Sequence, residues 1–187
     1  MKKFSLFSLI ILVAFLITSC SGGGTTETVS QGEKIETHGQ SGVMDKDSDK
    51  NILQIAASSE AHTTLAAACA AAEYLDVLAN AGPLTVFAPT NAAFEKLPDG
   101  TVEDLLKPEN KETLIRIIQF HASPGKYTDK LLKDGSKLYQ ASGHYVDVEK
   151  KDDGTYVNVT KIVASVEASN GIIHVVEDVF LPPAEEE

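Results

Sequence analysis

The sequence predicts one α+β domain, with helices in its first half and an antiparallel sheet in its second half. Two observations support this prediction. Apolar residues recur at helical spacing between residues 51 and 121, whereas they alternate with polar residues after residue 125. Asp-Gly and Asn-Gly pairs separate the alternating segments, as they do in antiparallel hairpins. Helices that precede a set of strands are typical of the α+β class.

Composition limits what such a domain can do. The chain has 187 residues, of which 43% are hydrophobic and 23% are charged, as is ordinary for a soluble globular protein. Its net charge of −11 argues against a nucleic-acid partner. Two cysteines cannot form a disulfide framework, and no Cys/His pairs have metal-ligand spacing. We therefore expect no nucleic acid, metal or cofactor to bind.

Residues 1–20 have the features of a targeting signal. Two lysines precede an uncharged apolar run over 4–17, which is shorter than the about 20 residues that a membrane-spanning helix needs. The run ends in Ile-Thr-Ser-Cys, which resembles a lipobox, where cleavage follows Ser19 and the cysteine is lipidated. We interpret 1–19 as the signal peptide and Cys20 as the lipid attachment site. The alternative is an ordinary secretory signal followed by a chance cysteine.

The segment 20–50 is predicted to be a disordered tether. It is rich in Gly, Ser and Thr, and from residue 21 onward it holds three basic and six acidic residues. It has too few apolar side chains to offset the conformational entropy that ordering it would cost. A flexible chain of this length has a root-mean-square reach of about 30 Å. Ser21 stands where an inner-membrane retention signal would have Asp, which favours the outer membrane or cell surface. Residues 184–187 are interpreted as an acidic tail.

The folded domain is expected over 51–183 and begins with helices. A short helix can be capped by Asn51 or Asp49, and one longer helix is expected over 63–79. Cys69 lies on the apolar stripe of the longer helix. It is therefore expected to be a buried small side chain without a disulfide partner, and a reactive thiol is the alternative.

A strand and further helices are expected next. The run 84–88 is rich in strand-forming residues and ends at Pro89, after which Thr90 or Asn91 can cap a helix. The segment Thr101–Asp104 has the spacing of a capping box and is expected to open another helical turn.

A longer helix beginning at Lys111 is expected to carry His121 and three aliphatic residues on one face. The aliphatic residues are Leu114, Ile117 and Ile118. We interpret His121, and His174 near the end of the chain, as core histidines whose ring nitrogens bind nearby groups of the backbone. A catalytic or metal-binding role for either histidine is the alternative.

The second half is predicted to form the antiparallel strands. The expected strands are 138–140, 144–149, 156–160, 161–167 and 172–176. Val146 and Val148 are predicted to share one buried face of their strand, and Val157 and Val159 to share a face of the next strand. The tract 150–154 is expected to be a hairpin turn.

Two segments resemble the signature boxes of the fasciclin-type (FAS1-like) domain. They are Leu84–Phe94 (LTVFAPTNAAF) and Asn170–Pro183 (NGIIHVVEDVFLPP). Between them, Phe120-His121 resembles the family's Tyr-His box, with Phe in place of Tyr. The resemblance covers about 51–183 and implies helices packed on a seven-stranded β-wedge or sandwich. The residues of the boxes that we interpret as structural are Thr85, Phe87, Pro89, Thr90, His121, Asn170, Gly171 and His174, with a positive φ expected at the Asn-Gly turn.

The resemblance also implies an extracellular adhesion or interaction role. We therefore expect a non-enzymatic, lipid-anchored module of a bacterial cell envelope that binds an extracellular protein or polysaccharide. The alternatives are a structural envelope protein without a specific ligand and a small secreted hydrolase. Against the hydrolase, no Gly-x-Ser-x-Gly turn, Ser/His/Asp arrangement or paired carboxylates stand out. The segment Ile162–Glu167 lacks the aspartate that some animal members carry there, so integrin recognition is not expected.

Overall fold

The computed structural model describes residues 49–80 and 82–183. The predicted signal peptide, most of the predicted tether and the predicted acidic tail lie outside the described residues. Among the residues that are described, no helix is both long enough and apolar enough to span a bilayer.

Helices and strands follow one another along the described part of the chain. The α-helices there are α1 (Ile52–Ala57), α2 (Thr63–Ala71), α3 (Leu75–Ala79), α4 (Asn91–Phe94), α5 (Thr101–Leu105) and α6 (Lys111–Phe120). The strands are β1 (Leu84–Pro89), β2 (Ala122–Pro124), β3 (Lys137–Tyr139), β4 (Tyr145–Lys151), β5 (Gly154–Val157), β6 (Thr160–Ala168) and β7 (Gly171–Val176). Short 3₁₀ turns at Glu60–His62 and Pro108–Asn110 precede α2 and α6.

The strands form a seven-stranded sheet in the order β2-β1-β7-β6-β5-β4-β3. Helices together with this sheet confirm the predicted α+β class. The prediction of a wholly antiparallel sheet is wrong at one place, because β1 and β7 run parallel, with Leu84 opposite Gly171. A long connection separates these two strands, so no hairpin forces them to run in opposite directions. Strand β2 was not predicted, since its sequence Ala-Ser-Pro has no β-branched or aromatic residue and ends in proline.

The sheet divides the core into two clusters. Neighbouring residues of a strand point to opposite faces, so Val86 packs among the helices while Phe87 packs on the other side. The helical cluster includes Ile52, Leu65, Leu114, Ile118 and Ile173. The second cluster includes Phe120, Leu132, Val146, Val148, Val157, Val176 and Phe180. Val146 and Val148 are both buried, as their alternation predicts.

The single helix predicted over 63–79 is wrong, because the structure has two helices there. Glu73 has a φ of 54°, a left-handed conformation that ends α2. The N–H of Tyr74 donates to the carbonyl of Cys69 at 2.9 Å, which closes the helix end. The chain then turns, and Leu78 of α3 enters the same apolar cluster as α1 and α2. Continuous apolar spacing did not reveal this change of direction.

The strand predicted over 156–160 is also interrupted. Asn158 and Val159 have φ values of 50° and 63°, which is the backbone of a two-residue hairpin turn between β5 and β6. Val159 is therefore 82% exposed, whereas Val157 is fully buried. The prediction that these two valines share a face is wrong, because Val159 lies in the turn, where side chains no longer alternate between the two faces of a strand.

The helix caps settle two sequence-based alternatives and correct one prediction. Asn51, rather than Asp49, caps α1, and its side chain accepts a hydrogen bond from Gln54 N–H at 2.8 Å. Thr90 caps α4, with its Oγ1 accepting from a backbone N–H at 3.3 Å. The capping box predicted to start at Thr101 does not form, because the residue in the cap position is the preceding glycine, which has a φ of 81°.

Cys69 gives a direct test of the core. It is buried on α2, it is a free cysteine, and burial raises the pKa of its thiol to about 12. We expect dithiothreitol to leave the melting temperature unchanged, because Cys69 forms no disulfide. We also expect iodoacetamide to alkylate Cys69 negligibly in the native protein at pH 8, because its thiolate is scarcely populated. Urea should make alkylation rapid. Alkylation of the native protein as fast as that of the unfolded one, or a melting temperature lowered by reductant, would contradict this placement.

Candidate functional site

The residues of the two signature boxes meet where β1 lies beside β7. Phe87 of β1 is directly opposite His174 of β7, so the two side chains share one face of the sheet, and Thr85 points to the same face two residues earlier. The rings of Phe87 and His174 are stacked, with centroids 5.6 Å apart. Pro89 is the last residue of β1, and Thr90 follows it as the cap of α4.

Thr85 and His174 hold the loop that follows β2. The Oγ1 of Thr85 donates to the carbonyl of Gly125 at 2.7 Å and accepts from the N–H of Tyr127 at 2.9 Å. The Nε2 of His174 faces the carbonyl of Tyr127 at 2.7 Å, so this nitrogen carries the proton and donates. Two fully buried polar side chains therefore fix the backbone of one loop over the sheet.

The other ring nitrogen of His174 belongs to a cluster that sequence spacing did not indicate. The Oγ of Ser165 on β6 lies 2.8 Å from Nδ1 of His174 and 3.0 Å from Oδ1 of Asp129. Ser165 is directly opposite His174 in the β6–β7 ladder, so the strand register was the signal that could have found the pair. Burial lowers the pKa of His174, whereas the Tyr127 carbonyl and the Asp129 carboxylate raise it.

This cluster differs from a nucleophilic triad. In a triad, the serine and the carboxylate bind opposite nitrogens of the histidine. Here Ser165 and Asp129 both lie on the Nδ1 side of His174, and Nε2 donates to a backbone carbonyl. The single hydroxyl proton of Ser165 is shared between Nδ1 of His174 and Oδ1 of Asp129. These contacts connect β6, β7 and the loop that bears Asp129.

His121 caps the end of α6 and has both ring nitrogens bonded to the backbone. Its Nδ1 donates to the carbonyl of Ile117 at 2.8 Å, and its Nε2 accepts from the N–H of Phe180 at 2.9 Å. The rings of His121 and Phe180 stack with centroids 4.8 Å apart. Neither nitrogen has a lone pair free for a metal in this arrangement.

Asn170 and Gly171 act through close backbone contacts and not through the predicted positive φ, which neither residue has. The Oδ1 of Asn170 accepts from the N–H of Ile52 at 2.9 Å, and its Nδ2 donates to the carbonyl of Leu78 at 2.9 Å. A Cβ on Gly171 would lie 1.8 Å from the carbonyl oxygen of Leu84. The pair therefore joins the start of β7 to α1, α3 and β1.

The family model of the Fasciclin domain matches residues 60–182. The chain belongs to the fasciclin-domain family. Protein sll1483 of Synechocystis sp. is 44% identical over 160 residues, which are 83% of this chain and 88% of that protein. The cell surface glycolipoprotein MPB83 of Mycobacterium bovis is 33% identical over 106 residues, 57% of this chain and 47% of that protein.

Animal proteins share the domain over a smaller part of their length. Human periostin is 28% identical over 159 residues, which are 82% of this chain but 19% of periostin. Among solved structures, the FAS1 domain pair of the insect cell adhesion molecule Fasciclin I matches with a TM-score of 0.64. That match is 20% identical and covers 71% of this chain and 51% of that chain, so it establishes the fold alone.

The described part of this fasciclin domain contains no group of three or more His, Cys, Asp or Glu side chains that could hold a metal ion. A cavity of about 50 Å³ lies between the helices and the sheet, and its lining is almost wholly apolar. Two polar side chains line this cavity: His121, whose ring nitrogens are both bonded, and Cys69, whose thiol has a pKa that burial raises to about 12.

The buried histidines of the fasciclin domain predict how its stability depends on pH. Burial lowers the pKa of His121 from 6.5 to about 4, so the unfolded state binds a proton between these values and the folded state does not. The contribution of His121 to the free energy of unfolding is complete above about pH 6.5 and is lost as the pH falls toward 4. We expect the free energy of unfolding to fall by about 2 kcal/mol between pH 7.5 and 5 from this residue. Burial also lowers the pKa of His62 and His174, with the same sign.

Urea unfolding of wild type and His121→Gln at both pH values measures the part of this fall in stability that is due to His121. The variant should lose that part of the pH dependence. His121→Ala should lower stability at pH 7.5 by about 1–3 kcal/mol through lost packing and an unpaired Phe180 N–H, with the metal content unchanged. Stoichiometric zinc or copper in the wild type that the variant lacks would contradict this, and so would an identical pH slope in wild type and His121→Gln.

Proposed function

We propose that this fasciclin protein is a lipid-anchored adhesion module of a bacterial cell envelope that binds an extracellular protein or polysaccharide. The observation that carries the proposal is a fasciclin domain that follows, in the sequence, a lipobox-like motif and about thirty residues predicted to be a flexible tether. A relative supports it by its name, the cell surface glycolipoprotein MPB83 of Mycobacterium bovis.

The geometry of the signature boxes supports a structural role for their residues. Thr85, His121 and His174 are buried, and each uses its polar atoms on backbone or neighbouring side chains. Buried groups that are fully bonded stabilise a fold and leave no reactive atom facing a substrate. This favours binding over hydrolysis. A structural envelope protein without a specific ligand remains the second candidate, because the same contacts suit both roles.

The anchor is tested by changing the lipobox cysteine. We expect Cys20→Ala to move the protein from the detergent phase to the aqueous phase in a Triton X-114 partition, because the acyl chains that anchor it durably are attached through this cysteine. Cys69→Ala is the matched control, since it removes the other cysteine of the chain and should leave partition unchanged. Detergent partition of Cys20→Ala equal to that of the wild type would refute the anchor.

Adhesion is tested with the soluble Cys20→Ala chain. Coupled densely to beads, it should retain a surface protein or a matrix polysaccharide that the free monomer binds only weakly, because many tethered copies raise avidity. Retention of basic partners should weaken as salt rises through physiological strength, where the screening length is about 8 Å. Hydrolysis of a glycan, ester or peptide by the monomer, abolished by one polar substitution, would refute adhesion. Beads that retain nothing would favour the structural candidate.

A further inference from the structure

The outward face of β3, β4 and β5 carries three tyrosines. Tyr139 on β3 is directly opposite Tyr145 on β4, and Tyr156 on β5 is opposite Glu149. The residues that alternate with them, among them Val146 and Val148, are buried on the inner side. We call this surface the tyrosine face, and it consists of Tyr139, Tyr145 and Tyr156 with Lys137, Asp147, Glu149, Lys151, Asp153 and Lys161.

One end of the tyrosine face is an exposed aromatic pair. Tyr139 is 45% exposed and Tyr145 is 63% exposed, and their ring centroids are 5.2 Å apart at an interplanar angle of 61°. An edge-to-face pair holds its rings in a defined orientation. Tyr145 therefore presents a large ring surface to solvent although the buried core lies directly on the other side of its strand.

The other end of the face has a ring held by polar contacts. The hydroxyl of Tyr156 donates to Oδ2 of Asp153 at 2.8 Å, and Nζ of Lys151 lies 4.1 Å from the ring centroid. Glu149, which is opposite Tyr156, is four residues along β4 from Tyr145, so the two ends of the face are about 13 Å apart along the strand.

The charges between the rings are balanced, although the whole chain carries −11. Three lysines are paired with three carboxylates: Lys137 with Asp147 at 3.1 Å, Lys151 with Glu149 at 3.2 Å, and Lys161 with Asp153 at 2.9 Å. A surface with no net charge neither attracts a polyanion nor favours a basic protein. It does offer closely spaced donors and acceptors beside aromatic rings.

We propose that the tyrosine face binds a segment of a neutral polysaccharide. This inference rests on the proposed adhesion function and names the partner. Sugar rings expose apolar C–H faces and a rim of hydroxyls, so the exposed rings of Tyr139 and Tyr145 take the faces while the paired lysines and carboxylates bind the hydroxyls. A protein partner fits less well, because Lys, Glu and Asp are depleted where proteins meet, and here they outnumber the aromatic residues.

Affinity electrophoresis of the full chain in detergent tests the inference. Native gels contain, in turn, hydroxyethyl cellulose, dextran, mannan or the anionic polymer alginate. We expect at least one neutral polymer to retard the chain, and Tyr145→Ala to raise the apparent Kd about tenfold. Tyr145→Phe, which keeps the ring, should bind like the wild type. Leu131→Ala is the matched control, because Leu131 is 54% exposed and lies outside the tyrosine face.

The outcomes separate this inference from the adhesion proposal. Equal retardation of wild type and Tyr145→Ala, with melting temperatures also equal, would overturn the tyrosine face as the site. Retardation by alginate alone would overturn a neutral ligand. If no polymer retards the chain while beads of the Cys20→Ala protein capture a surface protein, the glycan inference fails and adhesion stands. If neither gels nor beads retain anything, both fail.

Discussion

Gly171→Ala is expected to lower the free energy of unfolding by about 3 kcal/mol or more, since an added Cβ would lie 1.8 Å from the carbonyl oxygen of Leu84 and 2.9 Å from Cδ1 of Ile52. The first contact is with backbone, which cannot move without separating β1 from β7, two neighbouring interior strands of the sheet. Urea unfolding of purified protein measures the loss, and a low yield of folded protein agrees with it.

Gly82→Ala is the matched control for this substitution. A Cβ on Gly82 would meet nothing within 4 Å, and the position has no positive φ. We expect its stability to differ from that of the wild type by less than about 0.5 kcal/mol. Equal stability of the Gly171 and Gly82 variants would show that β1 and β7 do not approach each other as described.

Phe180→Ala is expected to lower the free energy of unfolding by about 3–5 kcal/mol. Phe180 is 1% exposed, and its ring centroid lies 4.8 Å from that of His121, 5.5 Å from that of Phe87 and 6.4 Å from that of Phe120. Removing the ring leaves a cavity where both signature boxes and the Tyr-His-like box meet. Chemical denaturation with matched m-values measures the change.

Leu181→Ala is the control for the second prediction. Leu181 is the next residue in the chain, but it is 56% exposed, so truncating it should change stability by less than about 0.5 kcal/mol. The same comparison tests the end of the domain, because Phe180 lies beyond the last strand. Similar losses for both variants would mean that the segment after β7 is not packed as described.

Apolar periodicity and capping residues correctly predicted those helices and strands whose boundaries depend only on residues nearby in the sequence. Val146 and Val148 alternate with polar residues, and both are buried in β4. Asn51 and Thr90 have the side chains that cap helices, and both do so. Each of these features depends on contacts within a few residues, which is the range that a periodicity or a cap reports.

The errors have a common physical cause. The apolar spacing over 63–79 continues through Glu73, but the helix turns there so that Leu78 can join the core. Val159 alternates correctly with Val157 but falls in the turn between β5 and β6. In both places a tertiary requirement overrides a local pattern that would extend one element.

The sequence predicted many residues of the candidate site but not which of them are in contact. His121 and His174 lie in recognisable boxes, yet their partners Phe180, Ser165 and Asp129 are distant in the chain or lack a motif. The tyrosine face likewise requires knowing which strands are neighbours.

The sequence by itself determined the α+β class, the fasciclin family and most of the helix and strand positions, because these follow from periodicity, caps and motifs within short segments. Only the tertiary structure decided that β1 runs parallel to β7, that Gly171 is required by the backbone of Leu84, and that Tyr139 and Tyr145 form one outward pair. These features arise from contacts between distant segments, whose direction and register are fixed when the whole core packs, and no local pattern encodes them.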